Sequence, residues 1–194
     1  MVKNNCNPFV NNSEKRLFLV GIFAFLIAAL LTYYNNILML GTLKIVYVKP
    51  KDWYISLYNL GLTIIANVLV LYVFALLRFF KTRFIDVLNT VLIAHLAMYL
   101  LLAVSCIPLV ADFLKSIEFL VLDHIENPTQ IPVDKLILMV LFGFFSIGCL
   151  VAFFILLVMG MKIAINSKKS GDTIVIVICT LVLNTVLQFI NIYV

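Results

Sequence analysis

Residues 136–161 read LILMVLFGFFSIGCLVAFFILLVMGM, and none of these 26 residues carries a charge. An α-helix rises about 1.5 Å per residue, so the stretch is about 39 Å long as a helix. The hydrocarbon core of a bilayer is about 30 Å thick. The bilayer core holds no water to bond backbone N–H and C=O groups, so a single segment that crosses it forms an α-helix, in which these groups bond one another. The stretch therefore predicts a transmembrane helix.

Four other charge-free stretches are long enough to cross a bilayer. They are Leu17–Leu43, Trp53–Leu77, Val87–Ala111 and Thr173–Val194. Together the five stretches predict an all-α fold, a polytopic transmembrane helical bundle with five spans. We place the spans at about residues 17–36, 54–77, 86–109, 136–161 and 173–193. Residues 1–16 then form a short cytoplasmic N-terminal tail, and residues 17–194 form a single transmembrane domain.

The composition argues against a soluble protein. Hydrophobic residues make up 64% of the chain and charged residues 12%, against roughly 45–50% and about 25% in soluble domains. The formal net charge is +5, but the basic residues stand in short clusters beside the apolar stretches, where Lys and Arg fix topology. We therefore expect the lipid bilayer, and no nucleic acid, as a partner. The four cysteines are widely separated, so we expect no metal site and no disulfide framework.

The distribution of Lys and Arg predicts the orientation. With five spans, the side of the N-terminal tail carries nine basic residues: Lys3, Lys15, Arg16, Arg78, Lys81, Arg83, Lys162, Lys168 and Lys169. The other side carries five: Lys44, Lys49, Lys51, Lys115 and Lys135. Because cytoplasmic loops are enriched in Lys and Arg, we expect the N-terminus inside and the C-terminus outside. The expected location is the cell membrane, which is the inner membrane if the source is bacterial.

The third connection begins with an amphipathic segment. If it is helical, five polar residues cluster on one face: Asp112, Lys115, Ser116, Asp123 and Glu126. Apolar residues fall on the other: Phe113, Leu114, Ile117, Val121 and Ile125. Phe119 and Leu122 depart from this pattern. This pattern is typical of a helix that lies flat in the membrane interface, here at about residues 111–126 and ending by Pro128.

His95 is the only ionisable side chain well inside a span. One interpretation is a neutral imidazole that hydrogen-bonds a neighbouring helix, with Tyr99 one turn on sharing the network. The other is a proton relay. A relay needs a carboxylate at similar depth, and the spans contain none there, so we favour the structural interpretation.

Asn67 stands well inside the second span and Asn184 well inside the last. Amides in a membrane helix bond across to other helices, and this is the default interpretation. Asn67, Asn184 and Asn89 are also the residues that would line a substrate path, together with His95, if the protein were a transporter.

The densest polar segment is Lys81–Asn89, KTRFIDVLN, at the start of the third span. We expect Thr82 to cap the helix, Asp86 to interact with the helix macrodipole, and Arg83 to pair with Asp86 three residues on. Arg83, Asp86 and Asn89 then hold the helix at one depth, without forming an active site. The sequence contains no catalytic, cofactor-binding or nucleotide-binding motif.

Two segments resemble the small bacterial members of the Yip family, the Ypt/Rab-interacting five-span membrane proteins. The first is Asn7-Pro8-Phe9 with the basic flank after it, and the second is Lys81–Asn89 with Thr90-Val91-Leu92-Ile93-Ala94 after it. The second is similar to the entrance of that family's third span. The resemblance extends from about Asn7 to the end and implies a five-span architecture with a membrane-organising or adaptor role. Because the D-L-Y-G-P and G-Y motifs of eukaryotic members are absent, we do not carry over binding of a Rab-type GTPase.

These observations leave two classes of function open. We favour a non-enzymatic membrane-organising or adaptor protein, whose partners are the bilayer and other membrane proteins or a second copy of the chain. The alternative is a small transporter or channel component with a polar path near His95. A membrane enzyme is not expected, because no nucleophile–base pair or metal-ligand set is present in the sequence.

Overall fold

The computed structural model describes residues 7–42, 44–47, 52–123 and 132–189. In chain order its elements are helix α1 (Pro8–Asn11), helix α2 (Glu14–Tyr34), strands β1 (Ile37–Leu40) and β2 (Lys44–Tyr47), and helices α3 (Trp53–Arg78), α4 (Phe84–Ser105), α5 (Pro108–Asp123), α6 (Val133–Ala164) and α7 (Ser170–Phe189). Within these residues, α2, α3, α4, α6 and α7 are long and apolar enough to cross a membrane. They confirm the predicted polytopic helical bundle.

The short connection between α3 and α4 differs from the expected one. The residue before α4 is Arg83, whose side chain accepts no capping hydrogen bond from the backbone amides of the first turn. The hydroxyl of Thr82 donates to the carbonyl of Phe79, 2.9 Å away at the end of α3. The prediction that Thr82 caps α4 is therefore wrong, because its side chain turns back to the helix before it.

Helix α4 is the centre of the bundle and packs chiefly against α6 and α2. It buries 14 of its 22 residues, more than one face of a helix provides, so neighbours surround it. Glycines let two of them approach closely. A Cβ added to Gly21 of α2 would lie 2.6 Å from Cβ of Leu92, and one added to Gly160 of α6 would lie 2.6 Å from Cγ2 of Thr90.

A hairpin follows α2 and turns back into the bundle. The chain reverses at Asn36, whose φ of 54° lies in the left-handed region, which Asn tolerates better than most residues. β1 and β2 pair antiparallel, with Ile37 opposite Tyr47 and Leu40 opposite Lys44. β1 packs against α2 and α3, and its residues Ile37 and Met39 are almost fully buried.

The tip of this hairpin lies within the depth of the spanning helices. The amide of Thr42 donates to Oδ1 of Asn184 at 3.1 Å. Asn184 stands 14 residues after Ser170 (184 − 170), the first residue of α7, which is about 21 Å along the helix. Strand backbone at such depth is tolerated where protein buries it. The connection expected at residues 37–53 is thus partly a re-entrant hairpin, which the all-α prediction does not contain.

Contacts between helix ends define two faces of the bundle. At the N-terminal face, where α2 begins, Arg83 pairs with Glu14 and Arg78 pairs with Asp172. At the opposite face, the hydroxyl of Tyr47 donates to the carbonyl of Ser105 at 2.9 Å. The starts of α2, α4 and α7 and the end of α3 therefore share the N-terminal face.

Helix α5 follows α4 at the opposite face, in the segment predicted to be amphipathic. Asp112 and Lys115 are exposed, and Val110, Phe113 and Leu120 are buried. Residues 124–126 of that segment, residues 190–193 of the predicted fifth span and residues 1–6 of the predicted tail lie outside the described residues.

Candidate functional site

An arginine joins two helices at the N-terminal face. Nε of Arg83 donates to Oδ2 of Asp86 at 3.1 Å, and Nη2 donates to Oδ1 of Asp86 at 2.9 Å. The same Nη2 also bonds the carboxylate of Glu14 at the start of α2. These bonds to two carboxylates raise the pKa of Arg83 above its usual value. The predicted pair with Asp86 is present, whereas Glu14, which stands 69 residues earlier in the chain, could not be found by spacing.

Asn89 is buried beside this cluster, with 3% of its surface exposed. Its Nδ2 donates to the backbone carbonyl of Glu14 at 3.2 Å. A carbonyl only accepts hydrogen bonds, so the nitrogen has to face it and the amide oxygen faces away. Among the described residues Oδ1 of Asn89 has no partner. The site therefore holds a buried acceptor that is free.

A cavity of about 200 Å³ opens between α1, α2, α4 and α6 at this point. Its polar side is formed by Asn12, Glu14, Arg83, Asp86, Asn89 and Thr90. Apolar groups form the rest, including Phe9 of α1 and Ile163 of α6. The structure thus places Arg83, Asp86 and Asn89 around one cavity, and adds Glu14 and the α1 helix to the predicted set.

A second charged group at the N-terminal face was not singled out by the sequence. Nε of Arg78 lies 2.9 Å from Oδ1 of Asp172, whose side chain is 5% exposed. Ser167 donates from its hydroxyl to the other oxygen of Asp172. The pair joins the end of α3 to the start of α7. The two residues are 94 positions apart (172 − 78), so only the folded chain reveals the pair.

Asn67 and Asn184 meet between α3 and α7, as the hypothesis of interhelical bonding requires. Nδ2 of Asn184 donates to Oδ1 of Asn67 at 3.2 Å and to the carbonyl of Thr180 at 2.8 Å. Oδ1 of Asn184 accepts from the amide of Thr42 in the hairpin. One side chain therefore ties α7 to both α3 and the hairpin tip.

Asn67 ends a buried polar stripe along α3. Ser56, Asn59, Thr63 and Asn67 follow one another at intervals of three or four residues, and each is at most 2% exposed. This spacing puts them on one face of the helix. Only Asn67 of the stripe was singled out from the sequence as a candidate, although the polar residues of the stripe and their spacing are visible in the sequence.

His95 lies elsewhere, between α4 and α6. Its Nδ1 is 2.7 Å from the carbonyl of Val91, one turn earlier in the same helix, and its ring meets Phe153 edge-on at 5.2 Å between centroids. Within the described chain, neither its Nε2 nor the hydroxyl of Tyr99 has a hydrogen-bond partner. The structure thus gives His95 ring packing against α6 in place of the expected shared network, whereas Asn67 and Asn184 meet between α3 and α7.

The described residues contain no group of three His, Cys, Asp or Glu side chains that is able to hold a metal ion. Comparison of the chain with protein-family models, with curated proteins and with solved structures finds no match. The interpretation of the site therefore depends on its geometry alone.

Proposed function

We propose that the protein is a non-enzymatic membrane-organising or adaptor protein of Yip-like type. In this proposal it is a multi-pass protein of the cell membrane, the inner membrane in a bacterium, with its N-terminal face in the cytoplasm. The excess of Lys and Arg on that side supports the orientation. The organising role is exerted through helix contacts with other membrane proteins or with a second copy of the chain.

The observation that carries the proposal is an apolar stripe on α6. Its members are Ile137, Val140, Phe144, Ile147 and Val151, which are 47–71% exposed. They follow one another at intervals of three, four, three and four residues. This is the spacing at which one helix packs along another. Lipid tails cover any apolar face, and α6 is apolar on every side, so the experiment below has to distinguish a partner helix from lipid.

The rest of α6 supports the same proposal. No residue of α6 before Cys149 is buried, whereas Cys149, Phe153, Leu157 and Gly160 are buried in its second half. The second half is therefore fixed against the central helix. The first half contacts the core through the partly buried Phe142 and Phe145 and presents an exposed apolar face on its other side. At Gly143 and Gly148 an added Cβ would meet nothing within 4 Å, so a second backbone has room to approach.

A photocrosslinking experiment tests the proposal. A photoreactive phenylalanine analogue is placed at Phe144 of the stripe, and in a matched control at Phe23 of α2. The two side chains are similarly exposed, at 71% and 67%, so both contact lipid to a similar extent. After irradiation in the native membrane, we expect a protein adduct from position 144 and lipid adducts alone from position 23.

Mass spectrometry of the adduct identifies the partner. A peptide from a second copy of the chain would show self-association, and a peptide from one other membrane protein would show an adaptor. Lipid adducts alone at position 144, or equal protein adducts at both positions, would contradict the proposal.

One observation favours the second candidate, a small transporter or channel component. The polar stripe on α3 leads from Ser56, near the start of the helix, to the junction of Asn67 with Asn184. Its test is proton or potassium flux into vesicles that contain the purified protein. A flux that Asn67→Leu abolishes without unfolding the protein would favour transport over the organising role.

A further inference from the structure

The cavity at the N-terminal face has the chemistry of a specific ligand. We propose that it binds the primary ammonium group of a phospholipid headgroup, as found in phosphatidylethanolamine. This inference is independent of the α6 stripe, and either proposal can fail alone.

Hydrogen-bond acceptors dominate the polar side of the cavity. Oδ1 of Asn89 is buried and has no partner among the described residues. Glu14 and Asp86 carry two negative charges, and Arg83 supplies one positive charge, so the lining has a formal charge of −1. A ligand that donates hydrogen bonds and carries a positive charge satisfies both features, and charge-assisted bonds of this kind are strong.

The position of the cavity points to a lipid as the source of the ammonium group. Its walls include Leu17 and Thr90, which stand where the apolar part of α2 and α4 begins. The exposed basic residues on the same face include Lys15, Arg16 and Lys81. They are placed to meet the phosphate of a lipid whose ammonium group enters the cavity, since basic residues beside membrane helices contact headgroup phosphates.

The lining also selects among ammonium groups. A quaternary ammonium, as in phosphatidylcholine, has no N–H to donate and is recognised by cages of aromatic rings. Phe9 is the only aromatic residue among those that line the cavity in the described chain. A primary ammonium donates three hydrogen bonds, and so can pair Asn89 and a carboxylate at once.

Retention of lipid by the purified protein tests this inference. The protein is held in micelles with equal amounts of phosphatidylethanolamine and phosphatidylcholine of identical acyl chains, and the bound lipid is counted by native mass spectrometry. We expect one bound phosphatidylethanolamine per chain, retained about tenfold more than phosphatidylcholine, a ratio that corresponds to 1.4 kcal/mol. Equal retention of the two lipids would overturn the proposal.

Three variants assign the preference to the cavity. Glu14→Gln, which removes one negative charge, should bring the ratio close to one, and Asn89→Leu, which removes the free acceptor, should do the same. Asp112→Asn removes the same charge from an exposed position at the opposite face and should leave the ratio unchanged. The unfolding transition of each variant is measured first, and the ratio is compared among those that unfold as the wild type does.

The side chain of Glu14 is half-exposed, so Glu14→Gln keeps the assignment testable if the variants at the buried Asn89 do not fold. Asn89→Asp exchanges the Nδ2 donor for an oxygen and adds a negative charge beside the free acceptor. It should retain or raise the preference for phosphatidylethanolamine, and loss of the preference in a folded Asn89→Asp protein would overturn the proposal. Glycerophosphoethanolamine, which has the headgroup and no acyl chains, distinguishes a lipid from a soluble amine. Displacement of the lipid by an equal concentration of this compound would overturn the assignment to a lipid.

Discussion

The side-chain amide of Asn184 is shared among three segments of the chain. It donates to Asn67 and to the carbonyl of Thr180, and it accepts from the amide of Thr42. Asn184 itself is buried, with 1% of its surface exposed. At the depth of the spanning helices, no water is at hand to replace a lost partner.

Asn184→Leu should therefore destabilise the protein. The substitution keeps the size of the side chain but leaves the Thr42 amide and Oδ1 of Asn67 without their bond, which costs about 1–3 kcal/mol per buried group. The free energy of unfolding in detergent measures the loss. Thr185→Val, at the next position of α7, removes a bond to the carbonyl of Leu181 from an exposed residue and should change little. Equal effects of the two variants would show that the junction does not hold the hairpin.

His95→Leu should be tolerated. Its Nδ1 bonds a carbonyl of its own helix, its Nε2 has no partner in the described chain, and its ring packs against Phe153. Leu retains the packing and removes an unsatisfied polar atom, so we expect a change of less than about 1.5 kcal/mol in the free energy of unfolding. A loss of 3 kcal/mol or more would reveal a hydrogen-bond partner for His95 across a helix interface.

The residues of the candidate site were partly predictable. The pair of Arg83 with Asp86 follows from a separation of three positions in one helix. The contacts of Glu14 with Arg83, and of Asp172 with Arg78, join segments 69 and 94 positions apart. Such contacts depend on which helix ends share a face, and hydropathy does not specify this.

At the scale of the elements, close approach of α4 and α6 depends on Gly160. A Cβ there would lie 2.6 Å from both Oγ1 and Cγ2 of Thr90, and 2.8 Å from Phe9. Gly148 lies on the same helix, and a Cβ there would meet nothing within 4 Å. The two glycines form a matched pair for a test of packing.

Gly160→Ala should destabilise the protein by about 1–3 kcal/mol, the usual cost of overpacking in a tight core. Gly148→Ala should be neutral or stabilise by up to about 1 kcal/mol, because Ala favours the helix more than Gly does. Thermal unfolding of both variants in the same detergent measures the difference. A stable Gly160→Ala protein would mean that α6 and α4 are not in close contact at this point.

The hairpin is the element that hydropathy did not predict. The segment from Ile37 to Tyr47 is apolar apart from Thr42 and Lys44, and a run of this kind fits the end of a span, a loop or a buried strand equally well. The bond of its tip to Asn184 joins residues 142 positions apart, so it depends on where α7 lies. The five long helices were predictable, because each needs only its own sequence to be stable in lipid.

At the scale of the whole molecule, the bundle has two unlike faces. The N-terminal face carries Arg83 with two carboxylates, the cavity beside Asn89, and the pair of Arg78 with the buried Asp172. The opposite face carries the amphipathic helix α5 and the open end of the hairpin, where β1 begins at Ile37 and β2 ends at Tyr47. The proposed roles of the α6 stripe and of the ammonium cavity both require that these faces lie on opposite sides of one membrane.

Labelling of single cysteines in intact cells tests this arrangement most directly. In a chain whose own cysteines are replaced by serine, Lys169→Cys reports on the N-terminal face and Asp112→Cys on the opposite face, and both positions are exposed. A membrane-impermeant thiol reagent should label Asp112→Cys in intact cells, and should label Lys169→Cys only after the membrane is permeabilised. Labelling of both positions in intact cells, or protection of both, would contradict the account.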